Sequence, residues 1–430
     1  MKKPFRKPEI GDKIELLVNQ KKEKGILLES YDSKVILIKL ENGYNIAFKK
    51  SEITEIKLLE NGKTKEEKET KKIIVSGQKP LVDFYITGGT ISSKLDPITG
   101  GVKWLIDSQE LFQIYPEIFR YTDVRIIRPF MKASENMDFK DWATLAKKIK
   151  KSLNDPQVKG IIITHGTDFL HYTAAALSFM LGKLSKPVVL TYAQKSADRA
   201  SSDARLNLLC AAHMALSDVA EVMLVGHANS SDEFCYALQG NKCRKMHTSR
   251  RDAFKPINTI PIAKIWPDNT IEILRKNFTK RNKNKVEPDT FFDDNIALIQ
   301  FYPGQDPDIL NYYFKKKYKG VVIAMSGLGH VTSEGKNNWL PIIKEAINQG
   351  MLIFAAPQTI YGRLDPYVYS PGRKLQEIGV VFLEDMLPET ALVKLGWVLG
   401  HKEWRGTVAT KLKMLENVAG EFNNQLPAEE

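Results

Sequence analysis

LVDFYITGGT (residues 81–90) and VKGIIITHGTD (residues 158–168) decide the fold. Each is a short, nearly continuous apolar run that stops at glycine and hydroxyl residues. A strand covered on both faces of a parallel sheet has this pattern. Between them, Phe139, Trp142, Leu145, Ala146, Ile149 and Leu153 fall on one face of a helix. The alternation continues with an apolar helix after Asp168, the strand PVVLTYA (187–193), a helix over 203–217 and the strand EVMLVG (221–226). It predicts a parallel, doubly wound sheet.

Downstream, residues 274–291 are basic and polar around RKNFTKRNKNKVEPDT and read as a linker. Alternation then resumes through NIALIQFY (295–302), a helix over 307–317, GVVIAM (320–325), a helix over 337–349, MLIFAA (351–356), a helix near 373–378, VVFL (380–383) and a helix over 388–399. This is a second, smaller α/β domain. Upstream, DKIELLV (12–18), EKGILLES (23–30), KVILIKL (34–40), YNIAF (44–48) and ITEIKLL (53–59) are short strands, with Asn42-Gly43 between two of them. Asn-Gly favours a hairpin because a type I′ turn needs positive φ. Five such strands suggest a small β-barrel of the SH3-like kind. The charged ENGKTKEEKETKK (60–72) has almost nothing to bury and reads as a linker or a solvated helix. The expected domains are a barrel over 1–60, a linker over 61–79, a catalytic α/β domain over 80–273, a linker over 274–291 and a second α/β domain over 292–430.

Hydrophobic residues at 43% and charged residues at 27% describe a globular chain with a sizeable core. The net charge of +12 fits either an acidic partner such as RNA or a lysine-rich solvated surface. Three cysteines, Cys210, Cys235 and Cys243, show no metal spacing and are expected as reduced thiols. MKKPFRKPEI lacks an apolar segment, so no signal peptide is expected. The longest apolar runs are too short to span a bilayer. These features point to a cytoplasmic protein with no membrane contact.

Ligands of open α/β sheets bind at the carboxyl ends of the strands. Two strands here end in Gly-rich, hydroxyl-bearing turns, at Thr90 and at Thr167. Glycines let such a turn present backbone N–H groups to an oxyanion, beside an exposed threonine hydroxyl. Each turn alone is more often only a turn. The pair is far more specific.

TGGTI (87–91) followed by HGTD (165–168) resembles the bacterial-type L-asparaginase/glutaminase family, from about residue 80 to the C-terminus. Within that family, LENGYNI (40–46), MKASENM (131–137), AQKSADRASSDA (193–204), RKMHTSRRDAF (244–254), LGHV (328–331), QTIYGR (358–363) and EDMLPETALVKL (384–395) are similar to the D-subunit family of archaeal glutamyl-tRNA(Gln) amidotransferases. That family carries an added N-terminal barrel, which ordinary asparaginases lack. The resemblance therefore covers nearly the whole chain.

It implies a catalytic set of Thr90, Thr167, Asp168 and Lys245, with Gly89, Ser134, Glu135 and Gly166 at the substrate. In this set Thr90 would attack the side-chain amide of glutamine or asparagine, and the other three would form a hydrogen-bonded relay for the nucleophile or the hydrolytic water; the sequence alone leaves open which threonine is acylated. A free threonine hydroxyl needs such help to act as a nucleophile. Arg244, Arg250 and Arg251 would favour a neutral Lys245 amine if they stay near it. Ser134 and Glu135 suit a zwitterionic substrate, or else cap the helix that follows. His165 is expected to fix its turn, and Tyr312, Tyr313 and Phe314 to face the core. Asp198, Arg199, Ser201, Ser202 and Asp203 are expected to form a polar loop that caps the helix at Asp203.

Two positions depart from the family pattern. The loop ISSKLDPITGGVK (91–103) holds no tyrosine, although Thr99 could fill the space. Phe169 replaces the usual hydroxyl residue after the HGTD aspartate.

The chain contains neither GxxxxGK[ST] nor a GxGxxG after a strand. The resemblance accordingly implies no cofactor or metal here, with ATP and magnesium on a kinase partner, the E subunit of such amidotransferases. That partner would take most contacts with Glu-tRNA(Gln) and convert it to Gln-tRNA(Gln). A homodimer core within a heterotetramer is implied, with Gly327 to His330 near the neighbour's site. Two other hypotheses stand beside this one: a stand-alone L-asparaginase/glutaminase, and a non-catalytic RNA-binding scaffold of the same fold.

Overall fold

The computed structural model describes residues 6–28, 30, 32–41, 44–60, 77–95, 102–104, 111–112, 114–199 and 201–425. Asn42-Gly43, Thr99 and most of the 61–79 linker lie outside them.

Five antiparallel strands form the N-terminal unit: β1 (Lys13–Val18), β2 (Lys21–Leu28), β3 (Val35–Lys39), β4 (Asn45–Lys49) and β5 (Ile53–Glu60). Their order is β4-β3-β2-β1-β5. Ile14, Leu16 and Val18 alternate with partly exposed residues and meet Ile38 in a small core. Alternation of period two is what one buried sheet face requires.

The body begins with β6 (Leu81–Ile86), then a hairpin of β7 (Ser93–Leu95) and β8 (Val102–Trp104), then β9 (Asp123–Ile127). Helix α1 (Phe139–Asn154) follows, with Asp138 as its N-cap and Asp141 completing a capping box. Then come β10 (Val158–Thr164), α2 (Leu170–Met180), β11 (Val188–Thr191), α3 (Ala204–Leu216) and β12 (Val222–His227). Strands β9, β6, β10, β11 and β12 are parallel neighbours. Val82, Phe84 and Ile86 join the core under α3, whereas Tyr85 packs with α1 and α2. Continuous apolar runs are thus explained by cover on both faces.

The sheet is mixed, not wholly parallel as the alternation suggested. Beyond β12 it continues through β13 (Cys235–Gln239), then β16 (Ala263–Ile265) and β17 (Ile271–Ile273), all antiparallel. The segment between β12 and β13 is too short for the crossover that a parallel neighbour needs, so the chain turns back. A separate hairpin, β14 (Cys243–Lys245) with β15 (Phe254–Pro256), projects from this region.

The second domain is a four-stranded parallel sheet: β18 (Ile296–Gln300), β19 (Gly320–Met325), β20 (Leu352–Pro357) and β21 (Val381–Phe382). Its helices are α4 (Ile309–Lys315), α5 (Trp339–Asn348), α6 (Ser370–Glu377), α7 (Pro388–Gly400) and α8 (Thr407–Leu415). On α4, Tyr313 and Phe314 pack on the core as expected, but Tyr312 is exposed. Helix α7 fuses the domains: Leu395, Trp397 and Val398 share one core with Phe179 of α2. Residues 274–291, expected as a linker, form a strap tied down by backbone bonds such as Ala220 N to Thr279 O, Asn282 N to Ser185 O and Asp289 N to Met180 O. The three cysteines are free and buried. Among the described residues no helix is long and apolar enough to cross a membrane.

Candidate active site

Parallel strands β6 and β10 are adjacent and end level with each other, Ile86 beside Thr164. Their C-terminal turns therefore meet. Gly89 has φ +85, and a Cβ there would sit 2.4 Å from Gly166 N. Only a residue without a side chain allows that approach. The Thr87 hydroxyl donates to Thr164 O at 2.7 Å, and Lys132 N donates to Thr87 O at 2.9 Å. Thr90 opens a single 3-10 turn, Thr90–Ser92, just beyond Gly89. Its side chain is half-buried, and its hydroxyl bonds to no described residue.

On the second turn, Lys245 Nζ lies 2.8 Å from Thr167 Oγ1 and 2.7 Å from Asp168 Oδ1. The Thr167 hydroxyl in turn is 3.5 Å from Asp168 Oδ1. Lys245 comes from the end of β14, so the projecting hairpin delivers the amine. The lysine side chain is 10% exposed and the Asp168 side chain 62%. One partner is shielded while the other faces the open mouth.

His165 holds the turn from beneath. Trp142 Nε1 donates to the Thr173 hydroxyl at 3.0 Å, and that hydroxyl is 2.9 Å from His165 Nε2. The hydroxyl then gives its own hydrogen to Nε2, leaving Nδ1 to donate to Gly166 O at 2.7 Å. Burial pushes the His165 pKa down to about 4, which keeps the ring neutral, and these bonds then select its tautomer.

Ser134 is buried against Gly166, where an added Cβ would lie 3.0 Å from Ser134 Oγ. Phe169 N donates to that hydroxyl at 3.3 Å. Glu135, next in the chain, is exposed. Ser134 sits in a 3-10 turn, and Asp138 caps α1 instead, so the capping alternative for Ser134 and Glu135 falls away. The polar loop before α3 caps it through Ser202, whose hydroxyl accepts from Ala204 N at 3.2 Å, while Asp203 folds back on the loop. Its carboxylate accepts from Gln194 N and Lys195 N rather than from the start of α3.

The arginine cluster also differs from the sequence expectation. Strand alternation turns Arg244 away from Lys245, to Glu389 at 3.3 Å. Arg250 binds Asp252, and Arg251 binds Asp232 and Ser201 O. Each positive charge is matched elsewhere. Burial raises the Glu389 pKa, opposed by Arg244. His171, 3.7 Å from Glu389, is pushed down to about 3 by burial first, then by Arg244 and Lys245.

The structure therefore gathers Gly89, Ser134, Gly166, Thr167, Asp168 and Lys245 at one mouth, with Thr90 at its edge. It leaves Glu135 without a described contact. Sequence inspection missed Trp142 and Thr173, whose bonds set the His165 tautomer, and Glu389, which reaches Arg244 from the other domain. Trp142 was visible only as an apolar helix position, and nothing local marks Glu389. Among the described residues no group of His, Cys, Asp and Glu is placed to hold a metal ion.

Two α/β domains with a threonine, aspartate and lysine set at paired glycine turns define an asparaginase-type protein. Residues 82–279 match the family described as Asparaginase, N-terminal, and residues 295–410 the Glutaminase/Asparaginase C-terminal domain. Residues 8–59 match the GatD N-terminal domain. The fold resembles the thermostable L-asparaginase from Thermococcus kodakarensis, with a TM-score of 0.72 and 27% identity, over 80% of this chain and 100% of that one. The chain is 44% identical over 422 residues to the D subunit of the glutamyl-tRNA(Gln) amidotransferase of Pyrococcus furiosus, spanning 96% of this chain and 95% of that protein. It is 41% identical over 420 residues to the same protein of Sulfolobus acidocaldarius, spanning 96% and 92%. The chain belongs to the asparaginase/glutaminase family and, within it, to the family of glutamyl-tRNA(Gln) amidotransferase D subunits.

Proposed function

We propose that this chain is the glutamine-hydrolysing component of a tRNA-dependent amidotransferase. The observation that carries this reading is the contact of Lys245 Nζ with both Thr167 Oγ1 and Asp168 Oδ1, beside the Gly89–Gly166 approach. The Thr90 hydroxyl attacks the side-chain amide carbon of glutamine. Backbone N–H groups of the two glycine turns receive the developing oxyanion. The C–N bond breaks and ammonia leaves with the proton that the relay carries from the nucleophile. Water then cleaves the acyl-threonine ester, releasing glutamate and restoring the hydroxyl. Lys245 Nζ moves the proton between Thr167 and the reacting atoms, and Asp168 orients it. Gly89, Ser134, Glu135 and Gly166 line the substrate side, where Glu135 faces the substrate's α-amino group.

Ammonia passes to a partner protein, the E subunit, which binds ATP, magnesium and Glu-tRNA(Gln) and forms Gln-tRNA(Gln). This chain needs no cofactor of its own. The active assembly is a homodimer core within a heterotetramer, with Gly327 to His330 approaching the neighbour's site. The N-terminal strands are read as an SH3-like barrel and the body as doubly wound, and the protein works in the cytoplasm.

The test is ammonia release from glutamine and from asparagine. It is run with the chain alone, then with the partner protein, ATP and Glu-tRNA(Gln), and with Thr90→Ala. Stimulation by the full system that Thr90→Ala abolishes is the expected result. Rapid release that ignores partner and tRNA would make the chain a free amidohydrolase, and no release at all would leave it a scaffold.

A further inference from the structure

The positive charge of this chain is concentrated opposite the glutamine mouth. The mouth lies at the C-terminal ends of β6 and β10. At the other ends of β10, β11 and β12 lie four segments, residues 147–159, 183–186, 217–221 and 276–287. Together they hold twelve Lys and Arg against four Asp and Glu, and so account for +8 of the net +12. The strap binds them into one face. Val286 exchanges backbone bonds with the Asn154 side chain, Arg281 holds Lys159 O, and Asn282 holds Ser185 O and Leu184 O. Burial, followed by Arg281 and Lys159 after the attraction of Asp155, leaves Lys186 with a lowered pKa, so these cations share one neighbourhood.

The acidic groups here are already engaged. Asp155 binds Arg125, Glu221 binds Arg275, and Glu287 binds Lys150. Asp218 lies 3.9 Å from Arg281. Lys147, Lys151, Lys159, Lys280, Lys283 and Lys285 are exposed and have no acidic side chain within ion-pair distance among the described residues. Six like charges on a rigid scaffold repel one another unless a polyanion covers them.

We propose that this face binds the phosphodiester backbone of a folded RNA, the tRNA on which the amidotransferase acts. The choice of RNA rests on the amidotransferase reading, whereas the basic face itself does not. Lysines are point-charge donors that suit phosphates and carry little sequence preference. Binding here would add affinity for tRNA from behind the body and leave the glutamine mouth open.

The experiment is anisotropy of labelled tRNA with the full chain over about 50 to 200 mM salt. The variants are Lys280→Glu/Lys283→Glu/Lys285→Glu and, independently, Lys147→Glu/Lys151→Glu. The control places the same charge change at Lys336, Lys344 and Lys374, exposed on the second domain. The strap variant should lose affinity about tenfold or more and flatten the log–log salt slope by about 3, since each phosphate contact contributes about 0.9. The α1 variant should move the same way, and the control should match wild type. Far-UV circular dichroism reports that each variant is folded, and the absence of ammonia release by wild type even with the partner protein, ATP and Glu-tRNA(Gln) would sink the amidotransferase reading alone. Equal RNA binding by wild type and both face variants overturns the proposal. So does no RNA binding by wild type, or displacement of the RNA by polyglutamate at equal charge, which would indicate an acidic protein partner.

Discussion

Lys245 Nζ lies 2.8 Å from Thr167 Oγ1 across 78 residues of chain. If the amine carries protons for the reacting hydroxyls, Lys245→Met keeps the volume and removes the chemistry. The turnover number should fall by about 10²–10⁴, the usual contribution of a general base, with little change in KM. Lys245→Arg should fail as well, because a guanidinium does not give up its proton at neutral pH. Wild-type turnover by Lys245→Met in an ammonia-release assay would remove lysine from the mechanism.

Gly89 supports the contact between the two turns. Gly89→Ala introduces a Cβ 2.4 Å from Gly166 N at a φ of +85. The backbone strain alone costs about 1–3 kcal/mol, and the turns must also part. Activity should drop about a hundredfold from the misplaced donors, with far-UV circular dichroism unchanged. An active, equally stable Gly89→Ala protein would show that the approach is not needed.

Ser134 bears on binding more than on turnover. Its buried hydroxyl accepts from Phe169 N at 3.3 Å and packs on Gly166. Ser134→Ala leaves that N–H unpaired at a cost of about 1–3 kcal/mol. KM for glutamine should rise about tenfold with a smaller effect on turnover, and Ser134→Thr should recover part of it. Steady-state kinetics of the two variants separate this from a purely structural role.

Acid should weaken the fold through His165. Its folded pKa, about 4, lies below the ordinary 6.5. The unfolded chain therefore takes up a proton first as pH falls. The stability is complete above about pH 6.5 and is lost progressively as pH falls through 4, a total of about 3 kcal/mol. His171, at about 3, extends the loss further downward. Urea unfolding at neutral pH and near pH 4.5 should show the drop, and His165→Asn, which does not titrate, should reduce it. An identical drop in the variant would place the acid sensitivity elsewhere.

Much of this protein was legible before any fold was known. The runs LVDFYI and VKGIIIT became β6 and β10 because an apolar run of six or seven residues closed by glycine has few other solutions. The α1 face showed in its periodicity, with Trp142, Leu145, Ala146 and Ile149 turned inward. The strands between His227 and Ile273 were missed because they are three to five residues long, too short for a period to register. The arginines beside Lys245 looked like a cluster in sequence and were not one in space: Arg244 alternates with Lys245 on β14, while Arg250 and Arg251 lie in the loop beyond it and pair with Asp252 and Asp232.

The sequence by itself determined the two α/β domains, the five N-terminal strands and the residue types at the mouth. These follow from local patterns, where each residue's neighbours along the chain carry the information. Tertiary structure alone decided that the β14–β15 hairpin would bring Lys245 to Thr167, that Trp142 and Thr173 would fix the His165 tautomer, and that Glu389 would meet Arg244 from the other domain. It also collected scattered lysines on one face behind the mouth. Such relationships join residues tens to hundreds of positions apart, and only packing of the buried faces against one another sets those distances.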